Sequence, residues 1–279
     1  MRIPPRPAQA IAVVLLGGAT LLTLGILAFV IVFVLGKGLP TISLDFLLQN
    51  PREMGTAGGI FPTIIGSIVL PLAAIAIALP AGLGTAIYLT EFTSGGRATQ
   101  WIRFGTDCLA GIPSIIFGLF GFIFFVTILQ MGWCILSGAL TLAIMVLPTI
   151  IRTSEEAIKA VPYSFREVSF ALGATRWETV VKVVLPNALP GIVTGVMLSI
   201  GRSIGETAAV IFTAGAALRI PHTLFDSTRT MAVHFYILAR EGLSNENAYG
   251  TAAILIISVL AVNALSYWLM HRFIARRAR

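Results

Sequence analysis

Charged residues divide this chain into long uncharged stretches. No Asp, Glu, Lys or Arg occurs in residues 7–36, 54–90, 108–151, 183–201, 207–218 or 247–270. The longer stretches supply the roughly 20 apolar residues that a helix needs to cross a bilayer. The 44 residues of 108–151 would extend roughly 66 Å as one helix, so they predict two spans with a tight turn near Gln130-Met131-Gly132. Only Arg202 to Glu206 separate 183–201 from 207–218, and these two read as one span with a polar centre, from about Gly191 to Ala216. The stretch 54–90 admits either one long or broken helix or two short spans meeting near Pro80. Pro71, Pro80, Pro113 and Pro148 fall inside these spans. Lipid offers no substitute for the backbone hydrogen bonds they remove, so such helices must lean on neighbours or polar groups. Gly82 and Gly84, after Pro80, mark a bend.

Between the spans lie polar islands. Residues 37–58 hold Asp45-Phe46-Leu47-Leu48, which predicts a short interfacial helix, and Leu218–Asn247 predicts a helix around Met231 to Arg240. The composition agrees with a membrane protein: 57% of residues are hydrophobic and 11% charged, against about a quarter charged in soluble domains.

Charge placement resolves the ambiguity of 54–90. Counted as one span, it gives six spans with both termini on one side. That side collects Arg2, Arg6, Arg97, Arg103, Arg152, Lys159, Arg166, Arg176, Lys182, Arg272, Arg276, Arg277 and Arg279, thirteen basic residues; the other has Lys37, Arg52, Arg219, Arg229 and Arg240, five. Cytoplasmic loops carry such an excess, so both termini and residues 153–186 are expected in the cytoplasm. The basic balance is thus a topology signal and not a sign of nucleic-acid binding. The chain is expected to divide into residues 1–58, a first span with an external segment, and 59–279, a five-span core. Cys108 and Cys134 would start and end the third span, roughly 39 Å apart at helical rise, too far for a disulfide. His222, His234 and His271 are scattered and read as surface groups, and no metal-ligand cluster is apparent.

The most informative island is Thr153–Pro186. Ser164-Phe165-Arg166-Glu167 and Thr175-Arg176-Trp177-Glu178 each place a hydroxyl and, three residues on, a glutamate, the pattern of a capping box. Gly173 lies between them, where a helix end needs a left-handed residue. Phe165, Val168, Ser169 and Leu172 share one helix face. This predicts an exposed helix–turn–helix that another protein grips; the alternative is an amphipathic element resting on lipid, which the mixed charges and the two tethered ends disfavour.

A second candidate lies in the fifth span. Arg202 and Glu206 are four apart and would share a helix face, extended by Ser199, Ser203 and Thr213. Ionisable groups at bilayer depth cost about 2.5–3.5 kcal/mol each on insertion scales. The pair therefore lines a transport route, or else is a mutually neutralising pair that locks helices together. Gly191/Gly195 and Gly201/Gly205 permit close helix approach. Enzymatic readings fail: Gly36-Lys37-Gly38 is not a phosphate-binding loop, and neither a nucleophile set nor paired catalytic carboxylates stand out. If ATP drives this protein, another chain must hydrolyse it.

Glu167-Val168-Ser169, three residues, Gly173, nine residues and then Val183-Val184-Leu185-Pro186 resemble the Glu-Ala-Ala-x3-Gly-x9-Ile-x-Leu-Pro loop of bacterial ABC importer permeases, with departures at Val168, Ser169 and Val183. Glu155-Glu156-Ala157, Val161-Pro162, Gly173-Ala174-Thr175, the run from Arg202 to Ala209 and Met231-Ala232-Val233-His234 resemble the phosphate-specific permeases, most closely the PstA type, from about residue 55 to 270. That resemblance implies an all-α, six-helix type I importer permease (MetI-like) fold. It also implies a second permease subunit (PstC-like), an ATPase dimer (PstB-like) holding the ATP and Mg, a periplasmic phosphate-binding protein (PstS-like), and inorganic phosphate as substrate. On this reading, Glu167, Gly173, Ala174, Phe165, Leu172 and Arg176 couple to the ATPase, and Arg202, Glu206, Ser203, Thr207 and Ser199 line the path. Glu206 is expected to hold the Arg202 guanidinium. The alternatives are a permease for molybdate, sulfate or phosphonate, the PstC-type partner, a stand-alone secondary transporter, or a membrane enzyme.

Overall fold

A computed structural model describes residues 5–93 and 95–277, with side chains from 9 to 268. Of the basic residues counted above, Arg2 and Arg279 lie outside the described residues, and the side chains of Arg6, Arg272, Arg276 and Arg277 are not described.

The regular elements of the described residues are all helical apart from one two-residue β-pair, β1 (Pro51–Arg52) with β2 (Ala57–Gly58), antiparallel, Pro51 opposite Gly58. Among the described residues, five helical stretches are long and apolar enough to cross a membrane: Gln9–Thr41, Phe61–Phe92, Ile135–Lys159, Arg176–Ile204 and Asn245–Trp268. A sixth arises if the bent pair Arg97–Ala110 and Ser114–Ile128 counts as one span. Helix α1 (Pro5–Gly38) packs along the last helix and exposes Leu15, Leu22 and Phe29. The short α2 (Leu44–Leu48) forms where its sequence predicts it, capped by Ser43, whose Oγ accepts from the Phe46 amide at 3.1 Å.

Stretch 54–90 forms a single span, α3 (Phe61–Ile87), continuous through Pro71 and Pro80 and ending in a π-helical turn, Tyr88–Phe92. Gly82 serves close packing: a Cβ there would lie 2.7 Å from Cγ2 of Ile150.

The third span departs from expectation. Instead of a helix from Cys108, α4 (Arg97–Ala110) ends at Gly111, and after Pro113 the chain turns by 102° into α5 (Ser114–Gly121), continued by a π segment, Phe122–Ile128. Proline biases its predecessor, Ile112, away from helical geometry. In α4, Trp101, Phe104 and Cys108 are exposed on one stripe while Thr99 and Thr106 are buried, the layout of an interfacial helix. Cys108 is thus within α4 and Cys134 caps the next helix; both are free thiols.

Helix α6 (Ile135–Lys159) is the hub of the bundle. Leu70 of α3 lies against its Gly138 and Gly82 against Ile150, so α3 and α6 run parallel. Leu70, Ala74, Leu142 and Val146 form the centre of the core. A second cluster, including Ala86, Ile158, Val161, Val180 and Val184, fills the end of the bundle where α6 finishes; we term this the loop end. Here α7 (Tyr163–Ala171), α8 (Arg176–Thr179) and a π turn, Val180–Val184, lead into α9 (Leu185–Ile204). The last elements are α10 (Ala208–Thr213), α11 (Met231–Arg240), as the sequence predicts, and α12 (Asn245–Arg277).

Candidate functional site

Two regions carry the candidate chemistry. At the loop end, Pro162 sits at the N-cap of α7, so Ser164 falls inside the first turn and the expected Ser164–Glu167 capping box is not formed. The second box is formed: Thr175 Oγ1 accepts from the Glu178 amide, and the Glu178 carboxylate accepts from the Thr175 amide at 3.0 Å. Gly173 has φ +82°, and its amide donates to the Phe170 carbonyl at 2.9 Å. Such an ending closes α7 without a Cβ penalty.

Of the four residues that the sequence puts on one face, three are exposed and Ser169 is buried. Phe165, Val168 and Leu172 are 45%, 61% and 83% exposed, so an apolar stripe faces outward with no covering element. Glu167 is exposed beside it and Ala174 is half-buried. The inner face holds Ser169, whose Oγ lies 2.8 Å from Thr179 Oγ1, and Arg166, which is buried. Arg166 Nη2 donates to Glu91 Oε1 at 2.6 Å and Nε to the same oxygen at 3.1 Å, while Nη1 reaches the Val161 carbonyl at 2.9 Å and Nη2 the Ile158 carbonyl at 3.1 Å. Arg176 stands over the Phe92 ring, 6.0 Å from its centroid. The Arg166–Glu91 pair was not singled out from the sequence. The available signal was the spacing of Arg166 and Ser169, which puts an arginine on the bundle-facing stripe of a short helix.

The second region lies midway along the bundle. Gly191 meets Ala157 and Gly195 meets Thr153, so α9 runs antiparallel to α6. Continued along α9, that register brings Ser203 level with Met145, near the middle of α6. There the expected continuous helix breaks: α9 stops at Ile204, and α10 begins at Ala208, after Glu206 and the N-cap Thr207. Beyond the break, α10 continues toward the far end, where the Cys134 amide donates to the Thr213 carbonyl at 3.2 Å.

This break undoes the expected Arg202–Glu206 pair. Glu206 Oε1 instead accepts from the Ala209 amide at 3.2 Å, satisfying an open donor at the start of α10. Arg202 is exposed, and among the described residues it forms no ion pair. Ser199 and Ser203 are buried and donate to their own helix, to the Gly195 and Ser199 carbonyls, each at 2.9 Å. Thr207 lines a cavity of about 910 Å³ shared with Trp133, Phe212, Ser227, Tyr236 and Arg240. The sequence-derived path residues therefore divide: Arg202 is exposed and Thr207 borders the cavity, Glu206 serves a helix start, and the two serines face inward.

At the far end the expectation that His234 is a surface group is corrected. It is fully buried, its Nδ1 3.3 Å from Arg229 Nη1. Burial foremost, then the Arg229 charge, pushes its pKa down to about 4.

Residues 78–279 match the family described as "Binding-protein-dependent transport system inner membrane component". This chain belongs to that family. It is a multi-pass inner-membrane protein, the permease subunit of an ABC importer, and such subunits are not catalytic and carry no cofactor; ATP is bound by a partner ATPase. The permease is 32% identical over 261 residues to the probable ABC transporter permease protein YqgI of Bacillus subtilis, covering 88% of this chain and 87% of that one. It is 38% identical over 228 residues to the phosphate transport system permease protein PstA 1 of Mycobacterium tuberculosis, covering 80% and 72%. Among solved structures, the inward-facing MetNI methionine ABC transporter superposes with a TM-score of 0.61 at 21% identity, over 77% of this chain and 94% of that one. A bacterial ABC transporter that imports the acidic polysaccharide alginate gives 0.66 at 15% identity, over 96% and 99%. These establish the fold as that of type I (MetI-like) importer permeases.

Proposed function

We propose that this permease carries inorganic phosphate inward, working with a PstC-like second permease, a PstB-like ATPase dimer and a PstS-like phosphate-binding protein. The observation that carries the substrate is the unpaired Arg202 at mid-depth, taken with the likeness to PstA 1. An exposed guanidinium on a broken helix offers a planar fork of donors suited to an oxyanion. Helix α7, with both termini and residues 153–186, lies on the cytoplasmic side, and its apolar stripe seats in a cleft of the ATPase dimer. ATP-driven closure of that dimer moves the loop and rocks the spans between two rigid-body arrangements. Residues 37–58 and 218–247 receive the binding protein on the other side, and residues 1–58 form an outlying unit beside the 59–279 core. Thr207 belongs to the path with Arg202, and Ser199 and Ser203 join it in a state in which α9 has turned.

Uptake of radiolabelled phosphate into vesicles holding the complete complex tests this reading. Uptake must require ATP and be displaced by unlabelled phosphate. Displacement by molybdate, sulfate or a phosphonate in preference to phosphate would reassign the substrate. Transport without ATP or a partner would make the chain a secondary transporter.

A further inference from the structure

The loop is joined covalently to α6 before it and, through α8, to α9 after it. It has no covalent link to α3, whose end lies about seventy residues upstream in sequence. The connection to α3 is made by side chains. Glu91 sits in the π turn that ends α3 and is largely enclosed, with 10% of its side chain exposed against 9% for Arg166. Around this joint Arg166 also donates to the Ile158 and Val161 carbonyls, at and just beyond the end of α6. One rigid guanidinium thus binds the loop to the ends of two spans at once.

At its other end α3 holds the segment beside the cavity. Ser67 Oγ accepts from the Met231 amide at 2.7 Å, and Gly66 abuts Thr228 and Arg229 so closely that a Cβ would lie 2.7 Å from the Arg229 carbonyl oxygen. Ser227, Tyr236 and Arg240, on either side of that segment, line the 910 Å³ cavity. The contacts run unbroken from loop to cavity: Arg166, Glu91, α3, Ser67, and then residues 228–231.

We propose that the Glu91–Arg166 pair is the joint through which the loop drives α3, making α3 the push-rod that reshapes the cavity when the ATPase closes. This rests on the coupling reading above. A buried ion pair is weak grounds for a stabilising role, since apolar replacement of both members is often neutral. A π turn at this position is also the kind of irregularity found at functional sites. Arg166 and Glu91 are therefore positioning residues of the transport cycle.

The test uses the complete complex, purified through this chain and reconstituted in vesicles with the binding protein, in a Cys108→Ser background. Spin labels are placed at two exposed positions, Leu72→Cys on α3 and Leu260→Cys on α12. The double variant Glu91→Leu/Arg166→Met removes the joint without leaving a lone buried charge. The exchanged pair Glu91→Arg/Arg166→Glu serves as the rescue. With the native pair, ATP and vanadate change the label-to-label distance. In the double variant the ATPase stays bound and hydrolyses ATP within twofold of the parent, the distance change is lost, and phosphate uptake per ATP falls at least tenfold; the exchange recovers part of both. A distance change and uptake within twofold of the parent in the double variant would overturn the joint. Loss of the ATPase from the purified double variant would overturn it too, because the pair would then only shape the docking surface. If the parent retains no ATPase, or transports without one, the coupling reading itself falls. The distance readout needs no substrate, so a wrong substrate assignment does not mask the result.

Discussion

Two arginines of this permease, Arg166 and Arg202, have opposite surroundings. Arg166 is enclosed, its donors distributed over one carboxylate and two backbone carbonyls. Arg202 ends a broken helix, exposed and without a carboxylate among the described residues. The first guanidinium is consumed by the protein and can only hold parts together. The second is left open at a depth where an uncompensated charge is costly, and an anion passing through would satisfy it. On the reading proposed above, the neutralised charge serves the mechanics and the bare one serves the ligand.

The largest effect is expected from Arg202→Gln. Losing a charge-assisted contact worth about 1.5–3 kcal/mol lowers phosphate uptake roughly 10- to 100-fold with the amount of assembled complex unchanged. A fall in complex amount instead would make Arg202 a residue that holds the fold together and erase the contrast. Gly173→Pro comes next. Proline requires φ near −65° where the chain has +82°, and it removes the amide bonded to Phe170. Uptake should fall while the protein stays in the membrane and the ATPase continues to hydrolyse ATP; unchanged uptake would take the loop out of the mechanism.

At the far end the buried His234 gives a pH signature. Its folded pKa of about 4 lies below the unfolded value of about 6.5. Its contribution is therefore present above pH 6.5 and is lost as pH falls toward 4, by up to about 3 kcal/mol. A melting profile against pH should show this loss, and His234→Gln should flatten it. Thr175→Ala should cost about 1 kcal/mol of local stability, read as faster amide exchange in residues 175–179, with Thr175→Ser close to the parent. The smallest effect belongs to Glu206→Gln, because an amide oxygen can still accept from Ala209. We expect less than about a twofold change, well under 1 kcal/mol. A loss as great as that of Arg202→Gln would mean that the two pair in the working state.

Much of the scaffold is legible in the sequence because its cause is local. Ser43 before Leu44, the hydroxyl of Thr230 before Met231, and the Thr175–Glu178 box mark helix starts within a few residues of chain. Charge counting gives 54–90 as one span, which no helical pattern in that stretch could decide. The two misread spans share one origin, the treatment of uncharged runs as continuous helices. Gly111-Ile112-Pro113 breaks the third span and leaves Trp101 and Phe104 on a surface helix. The stop at Ile204 denies Arg202 and Glu206 the common face that their spacing promised. Ser164 lost its box to Pro162, which starts the helix sooner. Glu91 and Arg166 are brought together only by tertiary packing.

The bend after α4 also bears on the bilayer. Ser114–Ile128 rises at most about 22 Å as helix, less than the roughly 30 Å of hydrocarbon it faces, whereas Gln9–Thr41 exceeds that thickness. A span that short favours a thinner bilayer beside it, and a long one favours tilt. Acyl-chain length is thus expected to act on this subunit, and reconstitution in lipids of graded chain length should show an optimum that a mid-thickness bundle of straight spans would not.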